Sequence, residues 1–179
     1  MSERDFVPLG GEQIWQGRIA GVRVERFRYP DGEEVEREVV THPGAVGIVV
    51  HDEEHVFLIR QPREAVLEPD MLEIPAGRLD KPGEDALPAA KRELAEEIGR
   101  AASEWEHLKT FYPSVGVNRE TVEIYRASGL SEEHADSGEH ERIELVAWPL
   151  EDLDGAIAVC KDAKTIIGLF LLRDHLRNA

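Results

Sequence analysis

The segment from Arg92 to Gly99, Arg-Glu-Leu-Ala-Glu-Glu-Ile-Gly, constrains the fold of this chain more than any other segment. At about 100° per residue of an α-helix, Glu93, Glu96 and Glu97 fall within one arc of roughly 100°. The adjoining face is apolar and predicts packing against a core, through Leu87, Ala90, Leu94 and Ile98. We therefore predict a helix over about 84–98 whose acidic face borders a cleft, although a glutamate-rich face alone is most often solvent-exposed surface.

A second motif lies at a fixed distance before this helix. Residues Glu73-Ile74-Pro75-Ala76-Gly77 combine a strand end with a Pro and a Gly turn. Together the two motifs resemble the Nudix box. The spacing from Gly77 to Glu84 is one residue longer than the family pattern, and charged Arg100 stands where the family has an apolar residue. Both departures lie outside the Arg-Glu to Glu-Glu segment.

The resemblance implies a magnesium-dependent hydrolase with an α+β fold, in which a mixed β-sheet is sandwiched between α-helices. The implied metal ligands are the main-chain carbonyl of Ala76 and the carboxylates of Glu93, Glu96 and Glu97. Arg92 would hold these carboxylates in place and so belongs to the catalytic set. Oxygen ligands beside an open cleft suit Mg²⁺, with Mn²⁺ or another divalent cation as the alternative. Glu84 lies on the far side of the helix, and we predict a structural role at the helix start or in a pair with Arg92.

Three further segments are similar to the ADP-ribose pyrophosphatase branch of the family: Ile59-Arg60-Gln61-Pro62-Arg63, Leu72-Glu73-Ile74-Pro75-Ala76-Gly77 and Phe111-Tyr112-Pro113-Ser114-Val115-Gly116, with Glu120. This likeness implies hydrolysis of ADP-ribose to AMP and ribose 5-phosphate. One departure weakens the assignment of ADP-ribose as substrate, because Val115 stands where the branch has Pro. Another nucleoside diphosphate sugar, such as GDP-mannose, stays open as the alternative.

The same likeness supplies substrate-binding candidates, namely Trp15, Ile19, Arg63, Glu73, Ser114 and Glu120. In that branch, aromatic or apolar side chains of an added N-terminal sheet sandwich the adenine, which makes Trp15, Ile14 and Ile19 candidates for this contact. A strand Trp is more often a core or interface residue than a base-stacking platform. The guanidinium of Arg63 suits phosphate or ribose oxygens, with a surface ion pair as the other interpretation.

The general base is expected on an acidic loop after the box. Residues 130–141 are rich in Glu, His, Asp and Ser and predict a mobile loop. The branch that the chain resembles places a Glu on this loop as the general base, and the resemblance implies Glu139 as the first candidate and Glu141 as the second. His140 stands between two glutamates and is predicted to be solvated.

The order of predicted elements divides the chain at His42-Pro43. Residues 1–42 predict a small antiparallel sheet, with strands at 13–19, 22–27 and 34–40 and a turn at Pro30-Asp31-Gly32. A sheet of this size is marginal alone, so we expect it to form a homodimer contact and one side of the adenine site. Residues 43–179 predict the hydrolase domain, with strands at 44–50, 56–59, 71–74, 108–112, 121–127 and 143–148 and a last helix over 162–177.

The net charge of −16 opposes binding to nucleic acid or an anionic membrane. No signal-like apolar run begins the sequence and Cys160 is the single cysteine, so we expect a cytoplasmic protein. A nucleotide-sugar sensor without turnover would be expected to lose glutamate ligands, and all three are present. A hydrolase of oxidised nucleoside triphosphates fits the box but leaves the N-terminal sheet unexplained.

Overall fold

A computed structural model describes residues 5–133 and 142–178 of the chain. The two candidate bases, Glu139 and Glu141, lie outside the described residues. The described chain forms two compact units. The first contains the described residues up to Gly44 together with Tyr112–Thr121, and the second contains Ala45–Phe111 and the described residues from Val122 onward.

The first unit contains an antiparallel sheet of three strands in the order β1-β2-β3, namely Val7–Gln16, Gly21–Arg28 and Glu34–Thr41. The predicted turn between β2 and β3 is present, since the Gly32 N–H donates to the carbonyl of Tyr29 at 3.0 Å. Strand β1 starts earlier than predicted because two irregularities in its register break the alternation of side chains. Gly10 lies at one of them, with a φ of 89° that favours glycine.

The second unit is built on a mixed seven-stranded sheet. The strand order across the sheet is β10-β5-β4-β9-β8. In addition, β6 pairs with β5 and β7 pairs with β4. Only the β4–β9 pair among these described strands is parallel. The strands are β4 Ala45–His51, β5 His55–Arg63, β6 Glu68–Glu73, β7 Ala76–Arg78, β8 Arg100–Phe111, β9 Val122–Glu132 and β10 Glu144–Pro149.

Helices cover both faces of this sheet. Alternate residues of β4 enter different core clusters, since Ile48 packs with Leu94 of helix α1 and Val49 packs with Leu169 of helix α3. The helices are α1 Ala86–Ile98, α2 Leu153–Val159 and α3 Ala163–Asn178. The predicted α+β architecture, a mixed sheet between helices, is therefore confirmed. No helix in the described part of the chain is long and apolar enough to cross a membrane.

Several elements of the second unit differ from prediction. Strand β8 begins just after α1, whereas the sequence predicted a strand only at 108–112. None of the residues of β8 is buried, so the strand gives no apolar pattern. Strand β9 continues to Glu132, so the predicted loop starts later than Leu130. Helix α2, of seven residues, was not predicted.

Candidate functional site

Helix α1 presents its acidic residues as the sequence predicted. Its buried side contains Ala89, Ala90, Leu94 and Ala95. Gly99 ends the helix in the left-handed conformation, with φ 65°, and its N–H donates to the carbonyl of Ala95 at 3.0 Å. Glu93, Glu96 and Glu97 are half-buried along the other side. The helix is thus anchored by its apolar face while its carboxylates remain accessible.

Arg92 connects three carboxylates. Its Nε and Nη2 donate to the two carboxylate oxygens of Glu84 at 3.1 and 3.0 Å. Its Nη1 donates to Glu93 at 2.6 Å and to Glu96 at 2.8 Å. The hydrogen bonds to Glu84 are the largest cause that raises the pKa of Arg92 above its ordinary value, and those from Arg92 lower the pKa of Glu84. The predicted pairing of Glu84 with Arg92 is confirmed.

The turn at Ala76 and Gly77 lies against the same helix. The Ala76 N–H donates to Oε2 of Glu97 at 2.9 Å, and β7 pairs with β4. The carbonyl of Pro75 accepts from the Ile48 N–H at 2.8 Å. A Cβ added to Gly77 would lie 1.9 Å from Cδ of Glu93, so this carboxyl group fills the space that a side chain would need. The backbone of the turn at Gly77 therefore lies directly against the Glu93 side chain of the helix.

The donor set fits a hard divalent cation by its chemistry, because carboxylate and carbonyl oxygens are the ligands that Mg²⁺ prefers. Within 5–133 and 142–178, however, no three His, Cys, Asp or Glu side chains are arranged to hold a metal ion. The physical reason is visible at Arg92, which binds Glu93 and Glu96, and at Ala76, whose N–H binds Glu97. Cation binding would require these carboxylates to turn away from their present partners.

Arg63 and Glu73, both predicted to contact substrate, are bound to each other. Glu73 is 1% exposed and accepts from Nε and Nη2 of Arg63 at 2.6 and 2.8 Å. Burial acts to raise the pKa of Glu73, but the hydrogen bonds from Arg63 and the charge of Lys164 outweigh it and lower that pKa. Hydrogen bonding to Glu73 is the largest cause that raises the pKa of Arg63, and the negative charge of Glu97 adds to it. Arg63 is thus an oriented guanidinium within electrostatic reach of a candidate metal ligand.

The sequence did not predict the three residues at the start of α3 that secure this region. Lys164 donates to both Glu73 and Asp162. Buried Thr165 donates from Oγ1 to Asp162 at 2.6 Å and accepts from the Ile74 N–H at 2.9 Å. Asp162 stands three residues before Thr165 and accepts its N–H, a spacing typical of a helix cap. This local signal predicts a helix start, but it carries no information on the contact of Lys164 with Glu73 of β6, 91 residues away.

The first unit contains a cavity of about 630 Å³. Its lining includes Phe6, Phe27, Tyr29, Arg37 and Tyr112. Of the predicted motif at 114–116, Val115 and Gly116 line the cavity. The sequence signal that could have located it is the pair of aromatic residues Phe27 and Tyr29 near the end of β2.

The other predicted residues of the first unit lie elsewhere in it. Trp15 is 57% exposed and its ring lies over Gly17, and Ile19 is also more than half exposed. Glu120 accepts from the side-chain amide of Asn118 at 2.9 Å, and its carboxylate lies 3.2 Å from Nδ1 of His42. Ser114 accepts the N–H of Asn118 through its carbonyl at 2.9 Å.

Comparison with known proteins gives a consistent result. A model of the NUDIX domain matches residues 41–167. The chain is 36% identical over 167 residues to the methanol dehydrogenase activator of Bacillus methanolicus, covering 90% of this chain and 89% of that protein. It is 40% identical over 147 residues to the ADP-ribose pyrophosphatase of Bacillus subtilis (strain 168), covering 80% and 78%. A crystal structure of an ADP compounds hydrolase superposes with a TM-score of 0.87 at 27% identity, covering 99% of this chain and 97% of the other.

Proposed function

The chain belongs to the NUDIX domain family, and from that premise we propose that it hydrolyses ADP-ribose to AMP and ribose 5-phosphate with Mg²⁺ as its cofactor. The observation that carries this proposal is the contact between α1 and the turn before it, where Ala76 meets Glu97 and Arg92 holds Glu93 and Glu96. The identity to an ADP-ribose pyrophosphatase supports the choice of substrate. Mn²⁺ or another divalent cation is the alternative cofactor.

In this proposal the cation is held by the carbonyl of Ala76 and the carboxylates of Glu93, Glu96 and Glu97. When bound, it would neutralise charge on the pyrophosphate and polarise it toward attack by water. Without a cation, the carboxylates of one helix face repel one another, and the hydrogen bonds of Arg92 offset that repulsion. Arg92 therefore holds Glu93 and Glu96 next to each other.

Arg63 is proposed to bind a phosphate oxygen. Its Nε and Nη2 edge is taken by Glu73, which fixes the plane of the guanidinium. With 41% of its side chain exposed, the remaining edge can meet an anionic substrate. Glu73 acts in this arrangement as the residue that orients Arg63, because its own carboxylate is buried.

We assign the base of the substrate to the first unit. The cavity there has the size of a small-molecule site, and aromatic walls with an arginine suit a planar base. Trp15 and Ile19, which do not line this cavity, stay separate candidates for the adenine contact, and Ser114 and Glu120 stay candidates for substrate binding. For the proton of the attacking water, Glu139 is the proposed general base, with Glu141 as second candidate.

The enzyme is further proposed to work as a cytoplasmic homodimer. Ile14, Trp15 and Ile19 expose more than half of their surfaces on or next to β1, which supports an interface there. The strongly negative charge supports the proposed absence of nucleic-acid and membrane partners.

A second candidate function is activation of a dehydrogenase. It is supported by the name of the relative from Bacillus methanolicus, a methanol dehydrogenase activator. Activation and hydrolysis are separable, because a Glu97→Gln variant that keeps its fold should lose turnover but keep any effect that depends on binding alone.

The experiment that tests the proposed function is a substrate panel. ADP-ribose, GDP-mannose and a nucleoside triphosphate are incubated with enzyme and Mg²⁺, and phosphate is measured after phosphatase treatment. We expect the highest kcat/KM for ADP-ribose and no signal after chelation of the metal. A preference for GDP-mannose would reject the substrate while keeping the reaction class.

A further inference from the structure

Lys164, in the first turn of α3, is linked through Glu73 to Arg63, the residue proposed to bind substrate phosphate. Lys164 donates to Glu73 on one side, and Arg63 donates to the same carboxylate through two atoms. Lys164 is itself fixed by Asp162 at 2.9 Å. Asp162 is held in turn by the backbone N–H and hydroxyl of Thr165. The ammonium group therefore has a defined position.

The charges in this network balance. Two carboxylates, Glu73 and Asp162, face two cations, Arg63 and Lys164. Because Glu73 is almost completely buried, its ionised form depends on these partners. Removal of Lys164 leaves Arg63 to compensate the buried carboxylate alone, and Glu73 and the guanidinium bound to it would lose the contact that fixes their common position.

We propose that Lys164 is a positioning residue for substrate phosphate: by sharing Glu73 with Arg63, it leaves the outer edge of Arg63 oriented toward the pyrophosphate. This inference rests on the proposed function. It assigns the start of α3 a role in substrate affinity that extends beyond helix capping. Lys164 acts through Glu73 and Arg63 and needs no contact with substrate.

A control variant lies three residues before Lys164. Lys161 also pairs with a glutamate of β6, Glu68, at 2.5 Å, but its side chain is 69% exposed. Such an exposed pair contributes little. Lys164→Met and Lys161→Met therefore remove the same group from two lysine–glutamate pairs, of which only the first reaches Arg63.

The test measures KM and kcat for ADP-ribose, and the Kd of inorganic pyrophosphate by calorimetry with the magnesium-loaded enzyme. For Lys164→Met we expect KM and Kd to rise about tenfold while kcat changes less than about threefold, as for a weakened charge-assisted hydrogen bond. Lys164→Arg should restore most of the affinity. Lys161→Met should match the wild type.

A second set of variants tests whether the effect passes through Glu73. Glu73→Gln avoids an uncompensated buried charge, so it stays usable if Lys164→Met fails to fold. We expect Glu73→Gln to raise KM and Kd, and the double variant to be no worse than the worse single one.

Wild-type affinity in Lys164→Met, or independent effects that multiply in the double variant, would overturn the inference. Failure of the proposed function has a different signature, since the wild type itself would then not hydrolyse ADP-ribose. The pyrophosphate titration decides the positioning role in that case.

Discussion

Arg92 binds several carboxylates of the site, whose negative charges repel one another. Its guanidinium binds Glu84, Glu93 and Glu96, and Lys81 lies 4.0 Å from a carboxylate oxygen of Glu96. In this conformation the positive charge of Arg92 compensates part of the negative charge of these carboxylates. Entry of a divalent cation would add positive charge and let the helix carboxylates exchange Arg92 for the metal.

Glu97 is the residue whose loss should be most informative. Its Oε2 accepts the N–H of Ala76, so it links the helix to the turn as well as serving as a proposed ligand. We expect Glu97→Gln to keep the fold and lower kcat by roughly a hundredfold, because an amide is a poorer ligand than a carboxylate. Steady-state kinetics at saturating Mg²⁺ measure this. Activity within threefold of wild type would reject the ligand assignment.

The general base can be separated from its neighbour by two matched variants. Glu139→Gln should lower kcat by ~10²–10⁴-fold with little change in KM, because a base acts on the attacking water and not on substrate affinity. Glu141→Gln is the control. A damaging effect of Glu141→Gln alone would move the role two residues along the sequence. With neither variant impaired, the base would have to be sought in Glu120 or in the box.

Helix α1 shows what a local pattern can predict. The helix, its buried face, its acidic face and the pairing of Arg92 with Glu84 all follow from spacing within about fifteen residues of sequence, as the 3.6-residue period fixes which side chains are neighbours. The position of Glu73 next to Lys164 depends on strand and helix packing over a separation of 91 residues, which no local pattern encodes.

Exposed and irregular strands were the other source of error. The length of β8 was underestimated because residues such as Glu104 and Glu106 are exposed on it. In β1, irregularities in the register break the alternation of side chains. The strand predicted at 13–19 therefore lies at Val7–Gln16. In the sandwiched strand β4, by contrast, the apolar run predicted the element almost to its ends.

A substitution at Gly77 tests the contact between helix α1 and strand β7. A Cβ there would collide with the carboxyl end of Glu93, which is flexible and can move at little cost to the fold. Gly77→Ala should therefore change the free energy of unfolding by less than about 1 kcal/mol. It should also raise the Mg²⁺ concentration for half-maximal activity about tenfold or more. Metal titrations compare it with Arg78→Ala, whose exposed pair with Asp80 lies at the next residue. Equal behaviour of both variants would contradict the role of this contact.

At the level of the whole chain, the exposed apolar residues of the first unit predict a homodimer. Ile14 is 57% exposed, an unfavourable position for an apolar side chain unless a partner covers it. We expect a dimer by light scattering, and we expect Ile14→Glu to shift the equilibrium toward monomer. Glu12→Gln on the same strand is the control. A wild-type monomer at micromolar concentration would refute the interface.

The central claim is that the acidic face of α1 and the turn at Ala76 form a metal-dependent pyrophosphohydrolase of ADP-ribose. Phosphorus NMR of the reaction observes both phosphates directly, with and without Mg²⁺. We expect the pyrophosphate signals to be replaced by two phosphomonoester signals, those of AMP and ribose 5-phosphate, only when the metal is present. Intact ADP-ribose after prolonged incubation with Mg²⁺ and enzyme, or the same products from Glu97→Gln at the wild-type rate, would contradict it.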